Sequence, residues 1–209
     1  MKRTEPFVSL VAALKRKRVR FLVIGVWGVN YYGSGATHFH TEDRDLFLPP
    51  DPRNELKAWQ SCRGEGFQLW CGDEPLGQPL DRVLAEQVVS RRALVRADGN
   101  GLLIDLTLVM AGQVFDDVWL RRRVFKVDGV DVPVASLKDI VSSKAAAGRP
   151  KDRLFLATHE EALRELGRRR RVNASTDSPK KNRQANERAT LPGKSSPLSV
   201  PAGLMRREA

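Results

Sequence analysis

The segment that most constrains the fold of this chain lies between residues 21 and 48. It begins with an unbroken apolar run, residues 21–24, which ends at Gly25 and has the pattern of a buried strand. A short segment and a glycine-rich stretch follow, and a second apolar run then begins with Asp43 and Asp45. The segment therefore predicts a buried strand, a glycine turn with a short helix, and a second strand that opens with two acids.

The two acids of the second strand are expected to lie close together. Side chains alternate between the faces of a strand, so Asp43 and Asp45 share one face, with Cα atoms about 7 Å apart. If their carboxylates come within about 5 Å, they repel each other by roughly 3 kcal/mol at an effective dielectric of about 20. A bound divalent metal is the usual compensation for such repulsion. The alternative is an ordinary pair of solvated acids at a strand edge.

A third acid interrupts another apolar segment. Residues 101–109 are rich in leucine and other apolar residues, and Asp105 is the one charge near their middle. An unpaired charge inside such a strand is costly, so Asp105 needs a cation, a set of hydrogen-bond donors or solvent. Three acids on neighbouring strands suit two-metal phosphoryl chemistry, in which paired ions clamp the attacking and leaving oxygens. The alternative is that Asp105 lies on the wet face of a half-exposed strand.

Four features, in their order along the chain, resemble the DNA polymerase β-type nucleotidyltransferase superfamily. They are Gly25 with the turn after it, the pair Asp43 and Asp45, the later acid Asp105, and the segment SLKDIVSSKAAAGRPKD at residues 136–152. The local sequence is similar to that of small bacterial nucleotidyltransferase-like proteins, including the toxin halves of abortive-infection toxin–antitoxin pairs. Each motif alone is weak, whereas all of them in this order are fairly specific.

The resemblance covers residues 8–166 and implies both a fold and an activity. The implied fold is α/β (α+β), a mixed β-sheet with helices packed on one side. The implied activity is metal-dependent transfer of a nucleoside monophosphate from a nucleoside triphosphate, such as ATP, to an acceptor, with release of pyrophosphate. The acceptor would be an RNA 3′ end, a protein hydroxyl or a small molecule. A cognate antitoxin protein is a further implied partner.

The resemblance also implies roles for individual residues. Asp43, Asp45 and Asp105 would be the catalytic acids and would together hold two Mg²⁺ ions. The turn after the first strand would cradle the triphosphate, and a helical lysine would neutralise it. The residues implied to bind the nucleotide in these two ways are Gly25, Val26, Trp27 and Lys144.

Two residues depart from the family pattern. Val26 stands where a small residue would let the backbone approach the triphosphate, although Gly28, where alanine is more usual, would restore some room. Arg44 stands between the two acids, where the family prefers an apolar residue, and would point to the other face of the sheet or pair with a nearby acid. These departures leave a second hypothesis open, a catalytically impaired module that binds nucleotide or nucleic acid.

Hydrophobic periodicity and turn signals place the remaining elements. The predicted helices span residues 6–17, 52–61, 136–147 and 151–166. The predicted hairpins lie at residues 93–109 and 124–134. The helix before Gly148 has a capping-box-like start at Ser136, with Asp139 in place of the usual glutamate.

The composition of the chain changes at Gly167. Residues 167–209 hold 11 Lys and Arg against 3 Asp and Glu, so they carry +8 of the formal net charge of +11. Because this segment has almost no apolar run, it cannot bury enough surface to fold. We therefore predict a nucleotidyltransferase-like domain over residues 1–166 and a basic, disordered tail over residues 167–209. The tail either attracts RNA or DNA by its charge or is a solubilising extension.

Two further features bear on the compartment. The two cysteines, Cys62 and Cys71, are too few and too unpatterned for a zinc site or a disulfide framework, which favours a reducing cytoplasm. The chain has no apolar run of about 20 residues, so no transmembrane helix is expected. We therefore predict a cytoplasmic protein that does not bind a membrane.

Overall fold

The computed structural model describes residues 5–33 and 38–176, with side chains as far as residue 168. The helices of this part of the chain are α1 (Pro6–Arg16), α2 (Gly25–Asn30), α3 (Pro52–Gly64), α4 (Arg82–Arg91), α5 (Phe115–Arg121), α6 (Leu137–Ala147), α7 (Pro150–Thr158) and α8 (Glu160–Thr176). The strands are β1 (Leu22–Ile24), β2 (Asp43–Phe47), β3 (Gln68–Cys71), β4 (Glu74–Pro75), β5 (Val95–Gly99), β6 (Leu102–Thr107), β7 (Arg123–Val127) and β8 (Val130–Val134). None of these helices combines the length and apolar character that a membrane span needs.

The strands form one mixed sheet with the order β4-β3-β5-β6-β2-β1-β8-β7. Strands β2 and β6 run parallel to each other, as do β1 and β8. The remaining neighbours are antiparallel. The predicted α/β class with a mixed sheet is therefore confirmed.

The register of the central strands brings the three acids together. In the parallel pair of β2 and β6, Asp45 lies opposite Asp105. Since side chains alternate along a strand, Asp43 and Asp45 project from the same face of the sheet as Asp105. In the antiparallel pair of β1 and β2, Ile24 lies opposite Asp45, so Gly25, the next residue, is at the same end of the sheet. The predicted strand, glycine turn and acidic strand thus converge on one place.

Helix α1 lies on the face of the sheet opposite the acids. The alternation along β2 points Arg44 and Leu46 to this face, and the Arg44 guanidinium lies over the ring of Phe7 from α1. Leu46 and Phe7 are fully buried, and each such side chain stabilises the fold by roughly 1.5–3 kcal/mol. Helix α3 packs against α1 and buries Trp59 completely. Helices α1 and α3 thus form a layer on the face of the sheet opposite the three acids.

The predicted capping of α6 is confirmed. The Ser136 hydroxyl accepts from the Asp139 backbone N–H at 3.1 Å and donates to the Asp139 carboxylate at 2.6 Å. Arg121 from α5 donates to the same carboxylate, with Nη2 2.9 Å from Oδ1. The helix ends at Gly148, whose φ of +59° is the left-handed conformation that favours glycine at this position. These two ends fix the length and direction of the helix that carries the predicted phosphate-binding lysine.

The last predicted helix, over residues 151–166, is wrong in its extent, because two helices occupy this region. Helix α7 ends at Thr158, and α8 begins at Glu160. Between them the His159 ring packs against the rings of Phe39 and Phe155, with centroids 4.7 and 4.9 Å away. This aromatic cluster holds the His159 ring in place, and it coincides with the break between the helices.

Helix α8 continues past Gly167 and ends at Thr176, so it includes the first residues of the predicted basic tail. The remainder of that predicted tail, residues 177–209, lies outside the described residues. The proposed division of the chain near residue 166 therefore stays a prediction.

Candidate active site

The three predicted catalytic acids line a single cavity of about 630 Å³. Small-molecule sites in proteins typically have volumes of roughly 300–1,000 Å³. The charged side chains that line the cavity are Asp43, Asp45, Asp105, Asp152, Arg92, Lys144, Arg149 and Lys151. Gly25 and Val26 also contribute to its wall, whereas Trp27 is not among the lining residues. The structure thus brings six of the seven predicted site residues to one cavity.

Gly25 and Asp45 are in direct contact at one end of this cavity. Gly25 follows β1 and has a φ of +67°, the left-handed conformation that glycine adopts without strain. A Cβ atom at residue 25 would overlap Oδ2 of Asp45. Glycine is therefore required here for its backbone and for the space it leaves, and that space is what admits the carboxylate.

The surroundings of Asp45 disfavour its charged form. Burial raises the pKa of Asp45 from 3.8 to about 6, and the charges of Asp105 and Asp43 add to the rise, whereas Lys144 opposes it. Within the described part of the chain, neither Asp43 nor Asp45 forms an ion pair. The charged form of Asp45 is therefore not fully stabilised by its neighbouring side chains, and a bound cation would stabilise it.

Asp105 differs from the other two acids because it is already paired. Arg96 from β5 donates two hydrogen bonds to it, from Nε to Oδ1 at 2.7 Å and from Nη2 to Oδ2 at 3.0 Å. This is the bidentate geometry in which the guanidinium fork matches a carboxylate. The pair raises the pKa of Arg96 further, first through the hydrogen bonds and then through the charge of Asp105. Of the partners expected for an acid in this strand, namely a cation, a set of hydrogen-bond donors or solvent, the structure provides a cationic donor, Arg96.

Arg96 was not predicted as a site residue, although the turn sequence of the β5–β6 hairpin predicts that it lies opposite Asp105. Asn100 and Gly101 both have positive φ, +54° and +72°, as a two-residue type I′ hairpin turn requires. This turn sets Gly99 opposite Leu102, and the antiparallel register then places Arg96 opposite Asp105. Reading the Asn-Gly pair as a two-residue turn would therefore have predicted the contact.

The residues present fit a divalent cation at Asp43 and Asp45. Carboxylate oxygens are the ligands that Mg²⁺ prefers, and these two acids are free to supply them. The described residues contain no group of three or more His, Cys, Asp or Glu side chains that could hold one ion. Both carboxylate oxygens of Asp105 meanwhile accept hydrogen bonds from Arg96. Asp43 and Asp45 would therefore supply two ligands to one ion, whereas a second ion would have to compete with Arg96 for Asp105.

Lys144, the predicted phosphate-binding lysine, is held at the cavity wall by Asp152. The Lys144 Nζ donates to Oδ1 of Asp152 at 3.0 Å, and the Arg149 Nε donates to Oδ2 at 2.6 Å. Burial acts to raise the pKa of Asp152, but the hydrogen bonds from Arg149 and Lys144 and their charges lower it on balance. Asp152 is only 1 % exposed, so it is a buried anchor for two cations. Asp152 belongs to the segment at residues 136–152, but no role was predicted for it from the sequence.

Arg44 and Trp27 lie away from the cavity, on the other face of the sheet. The Arg44 guanidinium stacks 4.1 Å from the centroid of the Trp27 ring, and its Nη2 is 3.5 Å from Oε1 of Glu5. Both expectations for Arg44, the opposite face and a nearby acid, are therefore confirmed. The Trp27 side chain packs against Arg44 and Phe7 and does not face a nucleotide in the cavity.

Gly28 does not add room to the phosphate-binding turn, contrary to the expectation from the sequence. A Cβ at residue 28 would lie 3.0 Å from Cδ1 of Ile140 and 3.2 Å from the carbonyl oxygen of Val23. Gly28 therefore allows α2 to pack closely against β1 and α6, and it is not among the residues that line the cavity. Val26 remains the residue whose side chain borders the space next to Gly25.

Comparison with known proteins gives distant likenesses of fold. No family profile matches the chain, and no curated protein sequence matches it. A proposed nucleotidyltransferase from Thermotoga maritima is 13% identical, with a TM-score of 0.47 over 73% of this chain and 89% of that chain. The antibiotic-resistance factor ANT(2″)-Ia is 17% identical in its solution structure, with a TM-score of 0.45 over 84% of this chain and 96% of that chain. Its crystal structure with adenylyl-2″-tobramycin gives 14% identity and a TM-score of 0.45 over 80% and 96%.

Proposed function

We propose that this chain is a metal-dependent nucleotidyltransferase, which moves a nucleoside monophosphate from a nucleoside triphosphate to an acceptor and releases pyrophosphate. The observation that carries the proposal is a single cavity in which Asp43, Asp45 and Asp105 face basic side chains. Carboxylates suit a divalent cation, and basic side chains suit a triphosphate. The acidic side chains of the cavity thus suit the metal ion of a metal–nucleotide complex, and the basic side chains suit its triphosphate.

Each group has a distinct part in the proposed reaction. Asp43 and Asp45 hold the divalent ion, which when bound polarises the phosphoryl oxygens and neutralises their charge. Lys144, fixed by Asp152, neutralises the phosphates from the other side. Gly25 keeps the Asp45 carboxylate beside the turn that is the proposed triphosphate cradle. That cradle continues through Val26 and Trp27, of which Trp27 would contribute its backbone only.

The proposed reaction is an in-line displacement at the α-phosphorus. The oxygen of the acceptor hydroxyl forms the new bond, the bond from phosphorus to the bridging β-phosphate oxygen breaks, and pyrophosphate leaves with the electron pair. The hydroxyl proton passes to Asp105, whose oxygens each keep a lone pair beyond the one that accepts from Arg96. The proton then passes from Asp105 to solvent, which restores the carboxylate for the next turnover.

The proposed acceptors are an RNA 3′ end, a protein hydroxyl and a small molecule, and the charge of the chain favours RNA. The formal net charge is +11, much of it in residues 167–209. Basic segments bind nucleic acid by releasing counterions, so this attraction would weaken steeply as salt rises. The proposed organisation is a catalytic domain over residues 1–166 followed by this basic segment.

A second candidate function is a nucleotide- or nucleic-acid-binding module without turnover. The observation that favours it is the Arg96–Asp105 pair, because an acid with both oxygens bonded to arginine is a weaker metal ligand and a weaker base. Val26 beside the turn favours it as well, since a β-branched side chain reduces the room for phosphate. Tight, metal-independent RNA binding without consumption of any nucleotide would distinguish this module from the enzyme.

The test of the proposed function uses the full chain with each α-labelled nucleoside triphosphate, Mg²⁺, and total RNA or protein extract. The Asp43→Asn/Asp45→Asn variant removes the proposed metal ligands. The matched control is Asp73→Asn/Glu74→Gln, which removes the same charge from exposed residues in and next to β4. We expect label transfer by the wild type and the control but not by the metal-ligand variant. No transfer with any nucleotide, with Mn²⁺ in place of Mg²⁺ as well, would contradict the proposal.

A further inference from the structure

Asp105, the third acid of the cavity, is paired with Arg96. Both carboxylate oxygens accept from the guanidinium, at 2.7 and 3.0 Å, and the Asp105 side chain is only 12% exposed. A guanidinium stays protonated at any pH at which the protein is folded. The charge of Asp105 is therefore compensated by the chain itself, with the Arg96 side chain 42% exposed at the edge of the pair.

The remaining charge of the acids matches one divalent ion. Asp43, Asp45 and Asp105 together carry −3 when ionised, and Arg96, the one base among the described residues that forms an ion pair with any of them, reduces this to −2. A second divalent ion would have to displace the guanidinium from Asp105 or bind next to it, against the repulsion of like charges. Asp43 and Asp45 have no such competitor among the described residues.

We propose that Arg96 takes the place of one of the two cations, so that the site binds a single divalent ion through Asp43 and Asp45. This inference rests on the proposed function, because it assigns the metal stoichiometry of the same site. Arg96 then fixes the orientation of the Asp105 carboxylate beside Asp45 through its two hydrogen bonds. Asp43 and Asp45 would hold the ion, so Arg96 is a positioning residue.

The inference is tested by counting Mn²⁺ ions in the full chain with α,β-methylene ATP, which cannot be cleaved at the α-phosphorus. Native mass spectrometry gives the number of ions per protein–nucleotide complex. Electron paramagnetic resonance gives an independent readout, since a lone Mn²⁺ shows six lines and two ions about 3.5–4 Å apart are spin-coupled. We expect one ion and an uncoupled spectrum for the wild type. Two coupled ions would overturn the inference and leave the proposed function standing.

The variants Arg96→Met and Arg96→Gln remove the guanidinium and should each raise the count from one ion to two, with a coupled spectrum. The double variant Arg96→Met/Asp105→Asn should return the count to one. The matched control is Arg92→Met, because Arg92 lines the same cavity without contacting Asp105, and its count should stay at one. A count of one in folded Arg96 variants would overturn the inference. A count of zero in the wild type would overturn both the inference and the metal dependence of the proposed function.

Discussion

The Oδ2 atom of Asp45 occupies the space in which a Cβ at residue 25 would lie. This contact joins the turn after β1 to the acidic strand β2, so the turn and the carboxylate cannot move independently. The position of one proposed metal ligand thus depends on the absence of a side chain at Gly25.

Replacing Gly25 with alanine should therefore impair both folding and transfer. A Cβ at this residue is strained by the positive φ and would also displace Asp45, so we expect a loss of about 3 kcal/mol in the free energy of unfolding. Displacement of the carboxylate by about 1 Å should lower turnover by roughly 100-fold. Urea unfolding and label transfer measure the two effects.

The control for this substitution is Gly72→Ala in the turn between β3 and β4. Gly72 also has a positive φ, +63°, but no atom lies within 4 Å of its added Cβ. It should lose only the strain of the backbone, about 1 kcal/mol, and keep full activity. Equal losses in the two variants would show that the contact with Asp45 has no importance.

Asp152 should be required for nucleotide binding although it is buried behind the cations. Asp152→Asn removes the charge that holds Lys144 and Arg149, so we expect a higher KM for the nucleoside triphosphate and a stability loss of about 1–3 kcal/mol at neutral pH. The pKa of Asp152 is lowered by folding, so its contribution is present above the unfolded pKa of about 4 and is lost as the pH falls through the folded value. The difference in the free energy of unfolding between the wild type and Asp152→Asn should therefore disappear at acidic pH.

Glu160→Gln is the matched control for the Asp152 substitution. Glu160 pairs with Arg164 on the surface of α8, where the two side chains are 61% and 67% exposed. Such a pair contributes about 0.5 kcal/mol or less, so stability and KM should barely change. If Asp152→Asn behaved like Glu160→Gln in both assays, its proposed anchoring role would be wrong.

Asp45 should make the free chain less stable as the pH rises. The pKa of Asp45 is raised from 3.8 to about 6, so the native state binds this proton more tightly than the unfolded chain does. The cost of its charge is absent below about pH 4, grows through about pH 6, and reaches roughly 3 kcal/mol above it. We expect Asp45→Asn to be more stable than the wild type near pH 8 and equally stable near pH 4, in urea unfolding without metal.

Millimolar Mg²⁺ should reduce the difference in the free energy of unfolding between Asp45→Asn and the wild type at high pH. The reason is that the ion stabilises the wild type and has little affinity for the variant. Glu55→Gln is the control, since burial raises the pKa of Glu55 to about 7 but this residue lies on α3. It should show the same direction of pH dependence without any response to Mg²⁺. An Asp45→Asn gap that is unaffected by Mg²⁺ would argue against a metal at this carboxylate.

Val26 and Arg44, the two residues that depart from the nucleotidyltransferase pattern the sequence resembles, should differ in their effect on nucleotide binding. Val26→Ser opens the wall of the cavity beside Gly25, and we expect triphosphate binding to tighten about 5-fold, or roughly 1 kcal/mol. Arg44→Leu acts on the other face, where it loses a contact with Trp27 at 4.1 Å, so stability should fall while nucleotide affinity stays unchanged. Isothermal titration with α,β-methylene ATP and Mg²⁺ measures both. A weaker affinity in Arg44→Leu together with no change in Val26→Ser would reverse this assignment.

The elements that chain-local patterns control were predictable from the sequence. The unbroken apolar run of β1, the Asn-Gly turn of the β5–β6 hairpin and the cap at Ser136 each depend on a few neighbouring residues. The position of Asp43 and Asp45 on one face follows from the period of a strand. The break at His159 was not predictable in the same way, because it coincides with ring contacts that include Phe39, far away in the sequence.

The partners of the site residues were harder to predict than the residues themselves. The apolar strand around Asp105 indicated a need for a cation, hydrogen-bond donors or solvent, and only the exact turn at Asn100 and Gly101, which sets the register between β5 and β6, selects Arg96 as the partner. The anchor at Asp152 depends on how α6 and α7 pack, which no local pattern specifies. Gly28 was misjudged for the same reason, since its neighbour Ile140 is distant in the sequence.

The most direct test of the account compares α-labelled with γ-labelled nucleoside triphosphate in the same transfer assay, with pyrophosphate measured alongside. Nucleotidyl transfer predicts that the wild type places the α-label on the acceptor and releases the γ-label in pyrophosphate. The Asp43→Asn/Asp45→Asn variant should neither label the acceptor nor release pyrophosphate. Transfer of the γ-label to the acceptor would instead show a phosphotransferase. Undiminished α-label transfer by the Asp43→Asn/Asp45→Asn variant would show that these two acids are not the catalytic centre.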